Sequence, residues 1–395
     1  MTKPHAVIVV ENLPVPRDHR VWLIATTLKS NGYEVTVVSP SDDRAPAGAC
    51  RHDGVIMIRH KLYQAKSWLG YAWEYAEALL KERAILKKVY AKKPFQTIHV
   101  CDPPDLLYLL AKPYKKKGAK LIFDHHDLSP ELILAKRNAA SYEELGFFFK
   151  ILYKLLLHFE RKSVQSADLV LATNASYQSI EFSRDGLARD KSFVVRSGLR
   201  RGELIQNREA ADSKDLKLVY IGVMARQDGV DILLNALAIL KEKQANVSLK
   251  LLGDGPEFEN LKALSKKLGI EKETEFLGFV QKTRAKEILL KSDIGVTPDP
   301  KTPMNDNSTM LKTIDYMAAG LPQVMFDLKE HRATCKDAAL YVEPSKPEAL
   351  AEGILKLYND QALRESLSQK ALARSRELAW EGDGEPRLLE AYSKA

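Results

Sequence analysis

Several signatures are missing from this chain of 395 residues, and each absence narrows its function. It has three cysteines, Cys50, Cys101 and Cys335, far apart and without a Cys-x-x-Cys pair, which argues against a disulfide framework and a zinc site. No G-x-G-x-x-G follows a first strand, so a dinucleotide is disfavoured, and no G-x-x-x-x-G-K-[ST] occurs either. The longest apolar stretch, LGFFFKILYKLLLHF (145–159), is broken by Lys150 and Lys154 and falls short of the roughly 20 residues a membrane span needs. Its apolar positions run almost all the way round a helix, which favours a buried core helix over one lying on a membrane surface. The opening MTKPHAVIVVENLP has five apolar residues before Glu11, so a buried strand is expected there rather than a signal peptide, and with it a cytoplasmic location.

What is present is a well-folded composition, 45% hydrophobic and 28% charged, long enough for about two domains. The net charge of +8 is uneven: residues 1–200 carry +10 and residues 201–395 carry −2. An anionic partner for the basic half follows, whether nucleic acid, acidic lipid or a phosphorylated substrate; the alternative is a solvated basic surface. No recognised nucleic-acid motif accompanies the charge, so nucleic acid is not expected.

Short β-branched runs alternate with helical patterns from end to end, as parallel sheets covered by crossover helices require. Strands are predicted at 6–10, 34–38, 55–59, 97–101, 120–124, 168–172 and 192–196, then at 216–221, 247–252, 273–277, 293–297, 322–326 and 339–342. Between the two series RRGELIQNREAADSKD (200–215) lacks apolar periodicity and marks a domain boundary. The fold class is therefore α/β, with two Rossmann-like, doubly wound parallel-sheet domains at 1–205 and 206–377 and a last segment at 378–395. Ligands of such sheets bind outside the carboxyl ends of the strands, which predicts a site in the cleft where the two sets of loops face each other.

Five stretches carry candidate chemistry. ENLPVPRDHRVW (11–22) follows the first strand; Asp18 is either the N-cap of a helix starting near Val21 or part of an acceptor-binding loop with Asn12, Arg17, His19 and Arg20, in which Arg17 or Arg20 meets an anionic group. FDHHDLSPE (123–131) gathers Asp124, His125, His126, Asp127 and Glu131. Neighbours on an extended chain point to opposite sides, so they cannot all converge on a metal. His126 and Asp127 are expected to offer hydrogen bonds to hydroxyls while Asp124 or Glu131 braces the loop, with a purely structural cluster as the alternative. In YIGVMARQDG (220–229) and LLGDGPEF (251–258), turns at Gly222 and at Gly253 and Gly255 lead into helix starts where amide groups point outward, with Arg226 in the first turn. NDNSTMLKTIDYMAAG (305–320) is read as a helix starting near Ser308, capped by Asn307 or Ser308, with Lys312 and Asp315 on one face. There the amides of Ser308, Thr309 and Met310 suit phosphate, Lys312 supplies countercharge and Asp315 accepts sugar or ribose hydroxyls; the plain alternative is a capped helix with a surface ion pair.

The order LGDGPEFENL, FLGFV, SDIGVTP, KTIDYMAAGLPQV and ALYVEP resembles the second half of GT-B glycosyltransferases, in particular the retaining family 4 enzymes of bacterial cell-surface polysaccharide type, and LAWEGDGEPRLLEAY (378–392) is similar to their last helices. The resemblance implies the GT-B fold with a C-terminal helix returning to the first domain, and a nucleoside-diphosphate sugar as donor. It implies a base edged by Gly278, Phe279 and Val280, a diphosphate held by Ser308, Thr309 and Met310, a ribose held by Asp315, and His126 beside the transferred sugar. Asn307 stands where the family has the first Glu of its E-x7-E motif, and Val223 and Asp228 stand where many members have Arg and Lys. Arg226 is nominated to replace that charge. The lack of an Asp-x-Asp suits a metal-independent transferase with no cofactor. The implied partners are a lipid-linked or glycan acceptor and an anionic membrane surface, met through KPYKKKGAK (112–120) and residues 68–93, so a peripheral position at the inner membrane face is expected. A catalytically inactive nucleotide-sugar-binding subunit and a sugar-nucleotide epimerase are the alternatives.

Overall fold

The computed structural model describes residues 3–63, 68–205, 208 and 215–395, so the stretch expected to separate the domains lies partly outside the described residues. The chain forms two units: residues 1–133, 145–197 and 384–395 in one, 134–144 and 198–383 in the other.

The first unit holds β1 (His5–Val10), α1 (His19–Ser30), β2 (Glu34–Pro40), β3 (Gly48–His52), β4 (Val55–His60), α2 (Trp68–Lys92), β5 (Thr97–Cys101), α3 (Tyr108–Lys115) and β6 (Lys120–His125). The chain passes from one unit to the other in α4 (Ser129–Lys136), and the first unit resumes with α5 (Phe147–Ser166), β7 (Leu169–Ala172), α6 (Ala175–Ser183) and β8 (Ser192–Val194). Sheet order is β3-β4-β2-β1-β5-β6-β7-β8, parallel except for β3, which pairs antiparallel with β4. β3 is absent from the sequence reading because GACRH is exposed at every position and so shows no apolar run.

The second unit runs β9 (Leu216–Ile221), α7 (Val230–Glu242), β10 (Val247–Leu252), α8 (Phe258–Lys267), β11 (Thr274–Gly278), α9 (Lys282–Leu290), β12 (Ile294–Thr297), α10 (Pro303–Asn307), α11 (Leu311–Ala318), β13 (Gln323–Phe326), α12 (Lys329–Cys335), β14 (Leu340–Val342), α13 (Pro347–Asn359) and α14 (Gln361–Glu377). Its sheet is wholly parallel, in the order β11-β10-β9-β12-β13-β14. The last helix, α15 (Gly384–Lys394), belongs to the first unit, where it packs on β7, β8 and α1 and Tyr392 Oη lies 2.8 Å from His99 Nδ1.

Both sheets reverse their strand order once, between β1 and β5 and between β9 and β12. At such a switch the connections leave in opposite directions, and a crevice opens outside the carboxyl ends of the two strands. The loops singled out from the sequence begin at or beside these positions.

Two corrections concern helices. The stretch 305–320 forms two helices, not one: Thr302 accepts from the Asn305 amide and Pro303 takes the first turn of α10, while α11 starts only at Leu311. Asn307 and Ser308 therefore cap no helix start; their side chains donate back to the Pro303 and Met304 carbonyls, 2.8 Å in each case. The stretch 145–159 is not a buried core helix, because α5 buries Glu160, Ser163 and Val164 in its second half and exposes Phe147, Phe148, Ile151 and Leu155 in its first.

Candidate functional site

In the first unit the switch point is organised around Asp124 at the end of β6. Arg20, in the first turn of α1, reaches it with Nε at 3.0 and 3.1 Å and Nη2 at 2.6 Å, and Nη1 donates to the Val195 carbonyl at 2.6 Å. His126 Nε2 lies 2.8 Å and His99 Nε2 3.2 Å from the same carboxylate. Burial alone would raise the Asp124 carboxyl, but the Arg20 guanidinium and then His126 outweigh it and hold it well below the usual range. Asp124 thus braces the loop, one of the two candidates the sequence offered. Glu131 is turned to Arg184 at 2.5 Å.

Arg20 is not an anion contact on an acceptor loop, since a buried guanidinium spent on Asp124 has little left to offer. Asp18 is the N-cap of α1, accepting from the Val21 amide at 2.9 Å. Arg17 pairs with Asp42. Asn12 is exposed and His19 half-buried. His125 and His126 point to opposite sides, as an extended strand dictates: His125 Nδ1 lies 3.1 Å from Glu181, whereas the half-buried His126 faces Asp124 and its amide donates to Asp102 at 2.5 Å. Glu181 and Asp102 beside His125 overcome burial, which would lower it, and push it up to about 10. Asp127 is half-buried next to it.

His99, Cys101 and Asp124 bring possible metal-ligand atoms within 4.8 Å of one another, but the Asp124 charge is met by Arg20 and the other His99 nitrogen by Tyr392. Two groups of the first unit escaped the sequence reading. Asp102 sits in CDPPD at the end of β5, a position its place after an apolar strand signals. Glu11, just past β1, is buried, and burial, then Glu82 and Glu74, push it up to about 9.

In the second unit the turns after β9, β10 and β11 are stitched edge to edge. The Gly222 amide donates to Leu252 O at 2.9 Å, the Gly253 amide to Gly278 O at 2.8 Å and the Met224 amide to Asp254 O at 3.0 Å. The backbones approach so closely that a Cβ on Gly253, at φ +129°, would stand 1.8 Å from Gly222 O, and one on Gly255 2.4 Å from Met224 O. The amides of Gly222 and Gly253 are thus committed to their neighbours, and the glycines serve the close approach, the steric role the sequence suggests for them.

Lys312, in the first turn of α11, runs past Gly222 and over the Tyr220 ring, its ammonium 5.0 Å from the centroid, and ends 2.7 and 2.8 Å from the two oxygens of Asp299 and 3.9 Å from Asp228. The expected Lys312–Asp315 pair is replaced by this buried cluster of one ammonium and two carboxylates. Burial, only partly offset by Lys312 and reinforced by Asp299, pushes Asp228 up to about 6. Asp299, in TPDP at the end of β12, is the residue the sequence reading missed; a carboxylate between two prolines just past an apolar strand was its signal.

Around the cluster, Val223 and Phe279 are exposed, Val280 packs against the core formed by Tyr316 and Leu321, and Arg226 is exposed on a 3-10 turn. Thr309 Oγ1 lies 3.5 Å from Glu330, Asn307 Oδ1 accepts from Lys329 Nζ at 3.5 Å, and Met310 caps α11 without offering its amides a side-chain acceptor. Asp315 is half-buried on α11, and burial, then the opposed effects of Lys282 and Glu203, push it up to about 6. Tyr316 locks α11 to the sheet by accepting from the Ile221 amide at 3.0 Å. A cavity of about 530 Å³ lined by Arg208, Asp293, Pro322 and Arg364 lies at the opposite edge, before β12 and β13, away from these groups.

The comparisons with known proteins fit this geometry. Sucrose-phosphate synthase from Thermosynechococcus elongatus superposes with a TM-score of 0.80 at 17% identity over 99% of both chains. HepE from Anabaena, solved in complex with UDP and glucose, does so at 0.70 and 14% over 99% of both; at such identities the likeness concerns the fold. Among curated sequences, an uncharacterised glycosyltransferase of Methanocaldococcus jannaschii is 25% identical over 39% of this chain and 38% of its own length. The chain spans less than half the length of the curated relatives it matches first. Residues 19–200 match the model described as Glycosyltransferase Family 4 and residues 203–374 the model described as Glycosyl transferases group 1. Two parallel-sheet units, each with its polar loops at a switch point and each matching one half of the same enzyme type, place this chain in glycosyltransferase family 4, with the GT-B fold.

Proposed function

We propose that the protein transfers a hexose-type sugar from a nucleoside-diphosphate sugar to an acceptor hydroxyl, with retention of configuration and without a metal, in the assembly of a cell-surface polysaccharide or glycolipid. The observation that carries this reading is the second unit's edge, where glycines bring three turns into backbone contact and the buried Lys312 ammonium ends beside them. As the bond to the leaving oxygen breaks, charge grows on the diphosphate, and Lys312, Arg226 and the first amides of α11 stabilise it. Gly278, Phe279 and Val280 edge the base, and Asp315 accepts from the ribose. In the first unit His126, oriented by Asp124, and Asp127 meet the transferred sugar, while Asn12 of the loop after β1 and His19 at the start of α1 take the acceptor. That HepE was solved with UDP and glucose supports a nucleotide-sugar donor.

A thermal-shift panel of UDP, GDP, ADP and dTDP with their sugars tests the reading. One nucleotide family is expected to raise Tm; Lys312→Ala and Asp315→Ala each weaken its binding about tenfold or more, and His126→Ala slows transfer with binding intact. Unchanged nucleotide affinity in both of the first two variants overturns the placement of the donor. A second reading, an inactive nucleotide-sugar-binding subunit, draws on Asn307, Val223 and Asp228 and on the neutralisation of Lys312 by two acids. Binding without hydrolysis or transfer across the whole panel selects it.

A further inference from the structure

The cavity before β12 and β13 of the second unit takes no part in the proposed reaction. Its volume of about 530 Å³ is that of a small-molecule site. Arg208, half-buried, and Arg364, in the first turn of α14 and 9% exposed, both line it. Burying a guanidinium is costly unless its five donors are met, and here they are met only in part. Arg208 donates through Nη1 to the Ala319 and Leu289 carbonyls at 3.0 and 3.3 Å and through Nη2 to the Ser292 carbonyl. Arg364 donates through Nη1 to the Leu357 and Tyr358 carbonyls at 2.5 and 3.1 Å. Nε of Arg208, and Nε and Nη2 of Arg364, have no acceptor among the described residues.

The acids of the lining do not neutralise them. Asp293 accepts from the Lys217 amide at 2.7 Å and Glu365 from Gln361 Nε2 at 2.9 Å, and neither forms an ion pair with Arg208 or Arg364. An ionised carboxylate has about four lone-pair sites, so both keep acceptor capacity. Ala362, Glu365, Ser366 and Gln369 follow helical spacing along one exposed face of α14 and line the same cavity. A solvated helix face accounts for polar residues on α14, and pinned carbonyls account for part of each arginine. Neither accounts for two guanidiniums with spare donors in one concavity of this size.

We propose that this cavity is a second small-molecule site, for a phosphorylated polyol, with the phosphate on the spare donors of Arg208 and Arg364 and the hydroxyls on Asp293, Glu365, Ser366 and Gln369. Guanidinium donors suit phosphate oxygens through charge-assisted bonds, and carboxylates and a side-chain amide suit hydroxyl donors. A purely anionic ligand would meet the two acids, and an uncharged polyol would leave the guanidiniums unanswered, so the mixed lining selects a molecule with both ends. The site stands apart from the donor groups. Arg208 and Ser368 hold the carbonyls of Ala319 and Gly320, just past the end of α11, at 3.0 and 2.7 Å, whereas Lys312 lies in the first turn of that helix. Binding here needs neither nucleotide nor acceptor, so it stands or falls separately from the proposed transfer.

Titration calorimetry of the full chain with mannitol 1-phosphate, inorganic phosphate and mannitol is the test, with hydrogen exchange to locate the ligand. Mannitol 1-phosphate is expected to bind at a single site, inorganic phosphate about tenfold more weakly and mannitol without measurable heat. Exchange slows in 318–323 and 361–370, where the cavity is lined, and stays the same in 305–312. Ser366→Trp fills the cavity from an exposed position and lowers the affinity about tenfold or more, and Arg364→Gln lowers it about as far by removing the charged donors. Arg364→Gln also leaves the Leu357 and Tyr358 carbonyls without their partner and lowers Tm, whereas Ser366→Trp leaves Tm and the nucleotide-induced thermal shift unchanged, which separates lost binding from lost folding. No heat with mannitol 1-phosphate, equal affinity in the Ser366→Trp variant and the parent, or protection in 305–312 in place of α14 overturns the proposal. Inorganic phosphate binding as tightly as mannitol 1-phosphate overturns the ligand class.

Discussion

The two switch points use buried charge in opposite ways. In the first unit, Arg20 answers Asp124 with three contacts between 2.6 and 3.1 Å, and nitrogens of His126 and His99 lie 2.8 and 3.2 Å from it. In the second, a single ammonium serves two carboxylates, tightly at Asp299 and loosely at Asp228, 3.9 Å away. The first arrangement is matched and locked; the second has an acid in excess and can still be titrated or recruited. A matched pair suits a brace that holds His126 still, whereas an unmatched cluster suits a place where a ligand brings or meets charge.

Removing one side of the matched pair gives the largest effect. Arg20→Met leaves Asp124 buried without its principal partner and is expected to cost about 3–5 kcal/mol in urea denaturation. Adding Asp124→Leu recovers a good part of that loss; a double variant no better than the single one breaks the view of the pair as an isolated brace. The next effect in size comes from the second unit. Gly253→Ala drives a methyl group into Gly222 O and is expected to cost about 1–3 kcal/mol and to weaken nucleotide binding, measured by chemical denaturation and thermal shift.

A smaller, pH-dependent effect separates the clusters most directly. Asp228 is pushed up to about 6 by burial first, with Asp299 adding to it against Lys312, so it is charged at pH 7.5 and largely neutral at pH 5. A folded pKa above the unfolded value means that the contribution to stability is whole below the unfolded pKa and is lost as pH rises through about 6. Asp228→Asn is therefore expected to stabilise the protein and to tighten nucleoside diphosphate binding several-fold at pH 7.5, with little change at pH 5. A gain of equal size at both pH values would show that Asp228 acts through shape rather than charge.

Strands with apolar interiors were legible almost residue for residue. 97–101, 216–221 and 247–252 were read as they stand, because β-branched runs bounded by polar turns have no competing interpretation. β3 was not, since an exposed edge strand carries no burial signal. The start of α10 was written in Thr302 and Pro303 and was overlooked in favour of the more conspicuous NDNST. α5 was misjudged for another reason: apolar residues all round a helix show that it is sticky, not which side a neighbour covers.

The candidate residues divide in the same way. Local chemistry was visible along the chain: the Asp18 cap, the opposed directions of His125 and His126, and the glycines where turns must meet. These follow from backbone geometry within a few residues. Partners distant in sequence were not. Arg20 finds Asp124, His99 finds Tyr392 and Lys312 finds Asp299 because strand order brings separate loops to one sheet edge, and a basic residue in a loop looks the same whether it waits for a phosphate or is already held by a carboxylate. Family, alternation and the placing of loops after strands were thus encoded locally, while which charges are spent and which remain to be used emerged from packing, since pairing and desolvation depend on neighbours that only the folded sheet assembles.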